Sequence, residues 1–125
     1  MDLLLKNVTI VDSKSSLNFQ KRDILIINGI IKKISKKIQI NDVDTIEKEN
    51  LHVSHGWFDS SVCFGEPGYE ERETLENGLN TAALSGYTGV SLNPNTRPFS
   101  DSIASISHLI NSSINHPTKI YPISC

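Results

Sequence analysis

Cysteine is scarce in this chain. Its 125 residues hold two, Cys63 and Cys125, too few and too far apart for a disulfide framework and not arranged as Cys-x-x-Cys. Both are expected as reduced thiols. Long apolar runs are missing as well, which excludes a bilayer-spanning segment, and Met1 to Lys6 lacks the basic region and long apolar core of a secretory signal. The cytoplasm is therefore the expected compartment. Nor does one sign of charge dominate: 12 Lys and Arg face 14 Asp and Glu, for a net charge of −2. That balance gives no overall pull toward nucleic acid or an anionic membrane, and neither is expected as a partner. Aromatic residues make up only 6% of the chain, and none interleaves its one basic cluster, Lys32, Lys33, Lys36 and Lys37. The cluster reads as the solvated face of a strand that discourages edge pairing, with Asp42, Asp44, Glu47 and Glu49 offsetting it.

What is present is ordinary for one modest globular core: 38% hydrophobic and 21% charged residues. Residues 1 to 54 read as a small β segment. Leu3 to Val11 is a strand, Ser13 to Gln20 a polar connection, and Ile24-Leu25-Ile26-Ile27 a strand leading into Asn28-Gly29 and out through Ile30 to Ile34. Asn-Gly suits a two-residue type I′ hairpin, because both central residues need positive φ. Asp42 to Asn50 is expected to hold a short strand and a turn. His52 and His55 invite a metal-pair reading. A linker residue and a strand-entry residue are the plainer assignment.

The stretch that organises the rest is Asp59-Ser60-Ser61-Val62-Cys63-Phe64-Gly65-Glu66-Pro67-Gly68, running off Gly56-Trp57-Phe58. Period-two geometry sends Asp59, Ser61, Cys63 and Gly65 to one face, and Phe58, Val62 and Phe64 to the other. Beyond it, Thr74 to Leu84 reads as a helix with Leu75, Leu79, Ala82 and Ala83 in one stripe, Gly86 as its stop, and glutamates suited to its N-terminal dipole. Tyr87 to Leu92 is a second strand, making a β-α-β unit with a parallel pair. Asn93-Pro94-Asn95-Thr96-Arg97-Pro98 is a loop. Ser100 or Asp101 is the expected cap of a helix reaching about Ser113, with Ile103, Ile106 and Ile110 on one face, and Lys119 to Ser124 forms a third strand. His108 and His116 read as solvent-facing or packing residues.

These motifs resemble the dihydroorotase branch of the amidohydrolase superfamily, whose first barrel strand reads approximately Gly-Trp-x-Asp-x-His-x-His-x-Arg-Glu-Pro-Gly, and whose second ends in Met-Pro-Asn-Thr-x-Pro. Asp59 and Glu66-Pro67-Gly68 match the first motif; Ser61 and Cys63 stand at its two zinc-binding histidine positions, and Gly65 at its substrate-gripping arginine. Asn95 matches the substrate-binding asparagine of the second, and Asn93 replaces its methionine. The resemblance implies an N-terminal portion of a β-sandwich over residues 1–54, followed at 55–125 by strands 1 to 3 and helices 1 and 2 of a TIM (β/α)8 barrel. Such a barrel needs about 250 residues, so this chain holds less than half of one.

In the active family, zinc polarises the amide carbonyl as N-carbamoyl-L-aspartate and L-dihydroorotate interconvert in pyrimidine biosynthesis. Serine is a poor zinc ligand and one thiolate falls short of the usual three protein ligands, so neither a metal nor a catalytic residue is expected of this chain. Glycine offers no grip on a carboxylate. Cys63, with no histidine placed to activate it, reads as buried or inert rather than nucleophilic. Three readings follow: an enzyme; a non-catalytic scaffold whose open strand edges are covered by self-association or by another chain such as aspartate carbamoyltransferase; or the N-terminal third of something longer.

Overall fold

The computed structural model describes residues 2–124 and divides into two compact units, Met1–His55 and Gly56–Cys125. In the first, β1 (Leu3–Val11), β2 (Lys21–Ile27), β3 (Ile30–Ser35), β4 (Asp44–Glu47) and β5 (His52–Ser54) form one sheet. Its order is β3-β2-β1-β4, with β5 also pairing β1. Strand β1 is antiparallel to β2 and parallel to β4 and β5. The hairpin forms as its turn chemistry requires, with Asn28 and Gly29 at φ 52° and 74°.

Alternation along β1 buries Leu4, Val8 and Ile10, and the register shifts between Leu5 and Val8, where Asn7 takes φ 53°. A buried carboxylate pins that irregularity. Asp23 Oδ1 accepts from the Asn7 amide at 2.9 Å and Oδ2 from the Ile38 amide at 2.8 Å, tying the segment after β3 to the sheet. Asp23 is 6% exposed, and nothing in the sequence pattern singled it out. His52, assigned above to a linker, lies within β5, where it pairs with Thr9.

The second unit runs β6 (Trp57–Val62), α1 (Leu75–Leu84), β7 (Tyr87–Leu92), α2 (Ile103–Ser112) and β8 (Lys119–Pro122). Its three strands are parallel in the order β6-β7-β8. The core is Phe64, Leu75, Leu79, Val90, Leu92, Leu109 and Ile120, each side chain contributing about 1.5–3 kcal/mol by leaving water. Thr74 caps α1 by accepting from the Asn77 amide, and Gly86, at φ 87°, ends it. Within α1, Gly78 meets the Phe64 ring so closely that a Cβ there would lie 2.5 Å from Phe64 Cε1.

Helix α2 differs from its expectation in two ways. Its cap is Ser102, in a reciprocal box with Ser105, rather than Ser100 or Asp101; Ser100 is instead buried against the Thr96 hydroxyl. Its buried face centres on Leu109, whereas Ile103 is 88% and Ile110 45% exposed. Of the expected isoleucine stripe only Ile106 is half-buried, so the helix turns the Ile106–Leu109 side inward and leaves Ile103 and Ile110 outside. The carbonyls at its C-terminal end receive Lys119, whose ammonium donates to Ser113, Ile114 and His116 at 2.8–3.1 Å, a cation suited to that pole. Among the described residues no helix is long and apolar enough to cross a membrane.

Candidate functional site

Parallel strands joined by helices bring the chain segments after their C-terminal ends together, and here those segments are residues 63–74 and 93–102. Strand β6 stops at Val62, short of the expected run to Gly65 before the Glu66-Pro67-Gly68 turn, and residues 63–65 continue without ladder pairing. A register irregularity between Asp59 and Val62 also breaks the expected alternation. Asp59 lines a groove with Val62 and Phe64 against α1, apart from Ser61 and Cys63, and its Oδ1 accepts from the Ser61 amide at 3.0 Å.

Ser61 and Cys63 do share a side. Asn93 Nδ2 donates to Ser61 Oγ at 3.0 Å and to Cys63 Sγ at 3.4 Å, while its backbone amide donates to the Val62 carbonyl at 2.9 Å. One primary amide thus spends both hydrogens on the two positions where the family resemblance places histidines. The sequence offered one signal of this: an amide in place of methionine at the end of the next strand. Cys63, expected to be buried or inert, is exposed, so of those two alternatives burial does not hold. Asn93, its hydrogen-bonding neighbour, has no basic atom to accept its proton.

Gly65 is sealed by backbone. Its amide donates to the Glu73 carbonyl at 2.9 Å, its carbonyl accepts from the Tyr69 amide at 3.0 Å, and a Cβ added there would fall 1.9 Å from the Tyr69 carbonyl oxygen. No side chain fits without opening the turn. Glu66 caps α1, its Oε2 accepting from the Leu75 amide at 2.8 Å. The Pro67 carbonyl accepts from the Arg97 amide at 2.9 Å, and Gly68, at φ 98°, lies where a Cβ would come 2.2 Å from the Arg97 carbonyl oxygen. The Glu-Pro-Gly turn and the Pro-Asn-Thr loop are therefore held to each other by backbone contacts. Glu70, accepting from the Gly68 amide at 2.8 Å, has its carboxyl held below the usual range by that N–H.

Asn95 sits exposed in the loop after β7, with no hydrogen bond from the described residues, while Thr96 beside it is buried and donates to the Pro98 carbonyl. The histidines do not converge. His52 Nδ1 lies 2.7 Å from the Asn50 carbonyl, His55 meets Asp12 at 3.2 Å, His108 is exposed, and His116 bridges Asn80 and Thr118.

Among the described residues no three His, Cys, Asp or Glu side chains come together as a metal site. A hydroxyl, a thiol and an amide do not fit the zinc that the resemblance implies.

No family model matches the chain. Curated relatives do: a dihydroorotase of Ruminiclostridium cellulolyticum is 37% identical over 111 residues, which are 89% of this chain and 26% of the relative. Another, from Carboxydothermus hydrogenoformans, is 35% identical over 125 residues, 100% of this chain and 29% of the relative. One from a Thermoanaerobacter species is 41% identical over 98 residues, 78% and 22% respectively. Among solved structures, an L-hydantoinase (dihydropyrimidinase) from Arthrobacter aurescens aligns with TM-score 0.76 at 18% identity, over 98% of this chain and 27% of that one. A dihydroorotase crystal structure aligns at 0.66, also at 18% identity, over 98% and 31%. At that identity the structural likeness speaks for the fold alone. The sequence matches carry further: the chain belongs to the dihydroorotase family, and it spans between 22% and 29% of the length of these curated relatives.

Proposed function

We propose that this chain is a dihydroorotase-family member that is not by itself catalytic, and that serves as a structural portion of a cytoplasmic assembly of pyrimidine biosynthesis. In this reading residues 56–125 are the first three strands and two helices of a (β/α)8 barrel, and residues 1–54 a portion of the accompanying β-sandwich. One observation carries it: Asn93 occupies Ser61 and Cys63 together, beside a turn that Gly65 leaves closed to any side chain. A position built for metal or substrate presents free ligand atoms, whereas these two accept from Asn93. Asn95, exposed after β7, is the residue assigned to substrate contact. A neighbouring protein chain covers the open strand edges, aspartate carbamoyltransferase being the pathway enzyme that the family resemblance suggests.

Short coverage of the relatives favours a second reading, in which these residues are one portion of a longer dihydroorotase and other strands bring the ligands and the general base. One pair of measurements separates them. The purified chain is analysed for bound zinc by elemental analysis and for dihydroorotate hydrolysis. Substoichiometric zinc and no turnover, with co-purification of an intact carbamoyltransferase, is the expected result. Stoichiometric zinc with turnover would overturn the non-catalytic reading, and turnover appearing only when the remaining barrel strands are supplied would establish the second.

A further inference from the structure

Asparagine followed by glycine occurs twice in the chain, at Asn28-Gly29 and at Asn77-Gly78. Such a pair readily loses its side-chain amide, because glycine puts no Cβ in the way when its backbone nitrogen turns on the asparagine Cγ. Both asparagines are exposed. What separates them is the freedom of the amide that follows.

In the hairpin that amide is free. Asn28 and Gly29 lie at φ 52° and 74° in the turn between β2 and β3, and among the described residues neither the Gly29 N–H nor the Asn28 side chain has a hydrogen-bond partner. A Cβ built on Gly29 would meet nothing within 4 Å, so no packing holds the turn on that side. The two common hairpin turns, type I′ and type II′, differ by a flip of the central peptide, and in the flipped turn the first residue has ψ of about −120° while its φ stays positive. That ψ is also the one a five-membered imide ring imposes on an asparagine. The flip therefore brings the Gly29 nitrogen to Asn28 Cγ while Ile27 stays paired with Ile30.

In α1 the corresponding amide is held. The Gly78 N–H donates to the Thr74 carbonyl at 3.0 Å, Gly78 is buried against Phe64, and the Asn77 side chain donates to Glu73. Helical ψ keeps the Gly78 nitrogen turned away from Asn77 Cγ.

We propose that Asn28 is a site of spontaneous deamidation in the folded protein, and that α1 protects Asn77. The Gly29 nitrogen gives its proton to solvent and bonds to Asn28 Cγ; the Cγ–Nδ2 bond breaks and the amide leaves as ammonia, with a proton from water. Water then opens the imide at Cγ, which gives aspartate, or at the backbone carbonyl, which gives isoaspartate. Nothing is oxidised or reduced. Either product adds a carboxylate to an open polar hollow of about 490 Å³ that Asn28 shares with Asp2, Asp42 and Asp44, and the Asn28 N–H already donates to Asp2 at 3.0 Å. Isoaspartate also inserts a methylene into the backbone, which a two-residue turn cannot hold in register. Repulsion and lost register both loosen the β2–β3 hairpin. The site is made by residues 27–30 and stands apart from Ser61, Cys63 and Asn93, so it holds whether or not the chain proves catalytic.

The test is incubation of the full chain at mildly alkaline pH, folded and in urea, followed by mass spectrometry with fragmentation that tells aspartate from isoaspartate. Trypsin cuts after Arg22 and Lys32, so Asn28 is the single asparagine of its peptide. In the folded chain conversion at Asn28 should run at least about tenfold faster than at Asn77, since a hairpin tip opens far more readily than a helix packed on its core, and isoaspartate should be among the products. In urea the two sites should convert at comparable rates. Conversion at Asn28 no faster than at Asn77 in the folded chain overturns the proposal, and so does aspartate as the sole product, which would mean direct hydrolysis with no ring.

Discussion

Gly65→Ala is the smallest change that tests whether the motif turn is closed. The added Cβ would lie 1.9 Å from the Tyr69 carbonyl oxygen, 2.8 Å from the Tyr69 carbonyl carbon and 3.1 Å from the Glu73 carbonyl oxygen. All three neighbours are backbone, so no side chain can swing aside. Relief requires the turn to open, which breaks the bonds from the Gly65 and Glu66 amides to the Glu73 carbonyl and from the Tyr69 amide to the Gly65 carbonyl. At about 1 kcal/mol of net stability each, their loss costs about 3 kcal/mol. In a unit of this size that lowers the melting temperature by roughly 15 °C. Trp57, the one tryptophan of the chain, lies on β6 of the same unit and reports its unfolding in urea. Gly65→Arg, which introduces the residue that the family resemblance implies at this position, should be at least as costly. A Gly65→Ala variant within about 0.5 kcal/mol of the parent, the range of an indifferent surface change, would refute the closed turn.

Three further perturbations separate competing effects. Asp23→Ala strands two backbone amides that now donate to a buried carboxylate, costing about 3 kcal/mol, and Asp23→Asn, which keeps one acceptor, should cost about half; amide exchange at Val8 and Ile24 reads the loss. Gly78→Ala gains about 1 kcal/mol of helix propensity but drives a Cβ to 2.5 Å from a buried ring, an overpacking of about 1–3 kcal/mol, so the variant should be less stable by urea melt despite its better helix former. Asp12 is held below the usual carboxylate range first by the Lys14 amide and then by His55. Because its folded value is depressed, its contribution to stability is present above the unfolded value and is lost as pH falls through the folded one. Its carbon-detected NMR titration should have a low midpoint that His55→Ala moves upward, and an unchanged midpoint would remove His55 as a cause.

Local chemistry made the elements legible and tertiary choices hid the rest. Asn28-Gly29 specified its hairpin because only positive φ at both residues closes it. The strand spacing around α1 likewise required a parallel pair. Helix α2 shows the limit: Ile103, Ile106 and Ile110 repeat at helical spacing, yet Leu109 is the buried residue with Ile106 half-buried, because a stripe says that one face can be buried and not which face meets a neighbour. The irregularity in β6 was invisible for a related reason. Period-two reasoning assumes an unbroken ladder, and the shift between Asp59 and Val62 moved Asp59 away from Ser61 and Cys63. Asp23 was missed because a carboxylate inside a strand pattern looks like any solvated charge until its two amide partners are seen.

The motif positions divide by what they touch. Glu66 caps α1, Pro67 accepts from Arg97, and Gly68 packs at φ 98° against the Arg97 backbone. All three match the family pattern; Pro67 and Gly68 fix the loops after β6 and β7 to one another and Glu66 fixes its turn to α1, so losing any of them disturbs the fold around it. Ser61 and Cys63, which depart from the pattern, are exposed and meet Asn93 alone through their side chains. Substitution there removes ligands from a site without taking atoms from the core. Gly65 differs: the bonds of its own amide to Glu73 and of the Tyr69 amide to its carbonyl hold the turn closed over the position. Side chains can thus be exchanged at Ser61 and Cys63 with the surroundings left as they are, whereas at Gly65 any side chain must first open the turn. Ser61→His with Cys63→His should therefore be tolerated by this fold where Gly65→Arg is not, a difference that paired urea melts would read.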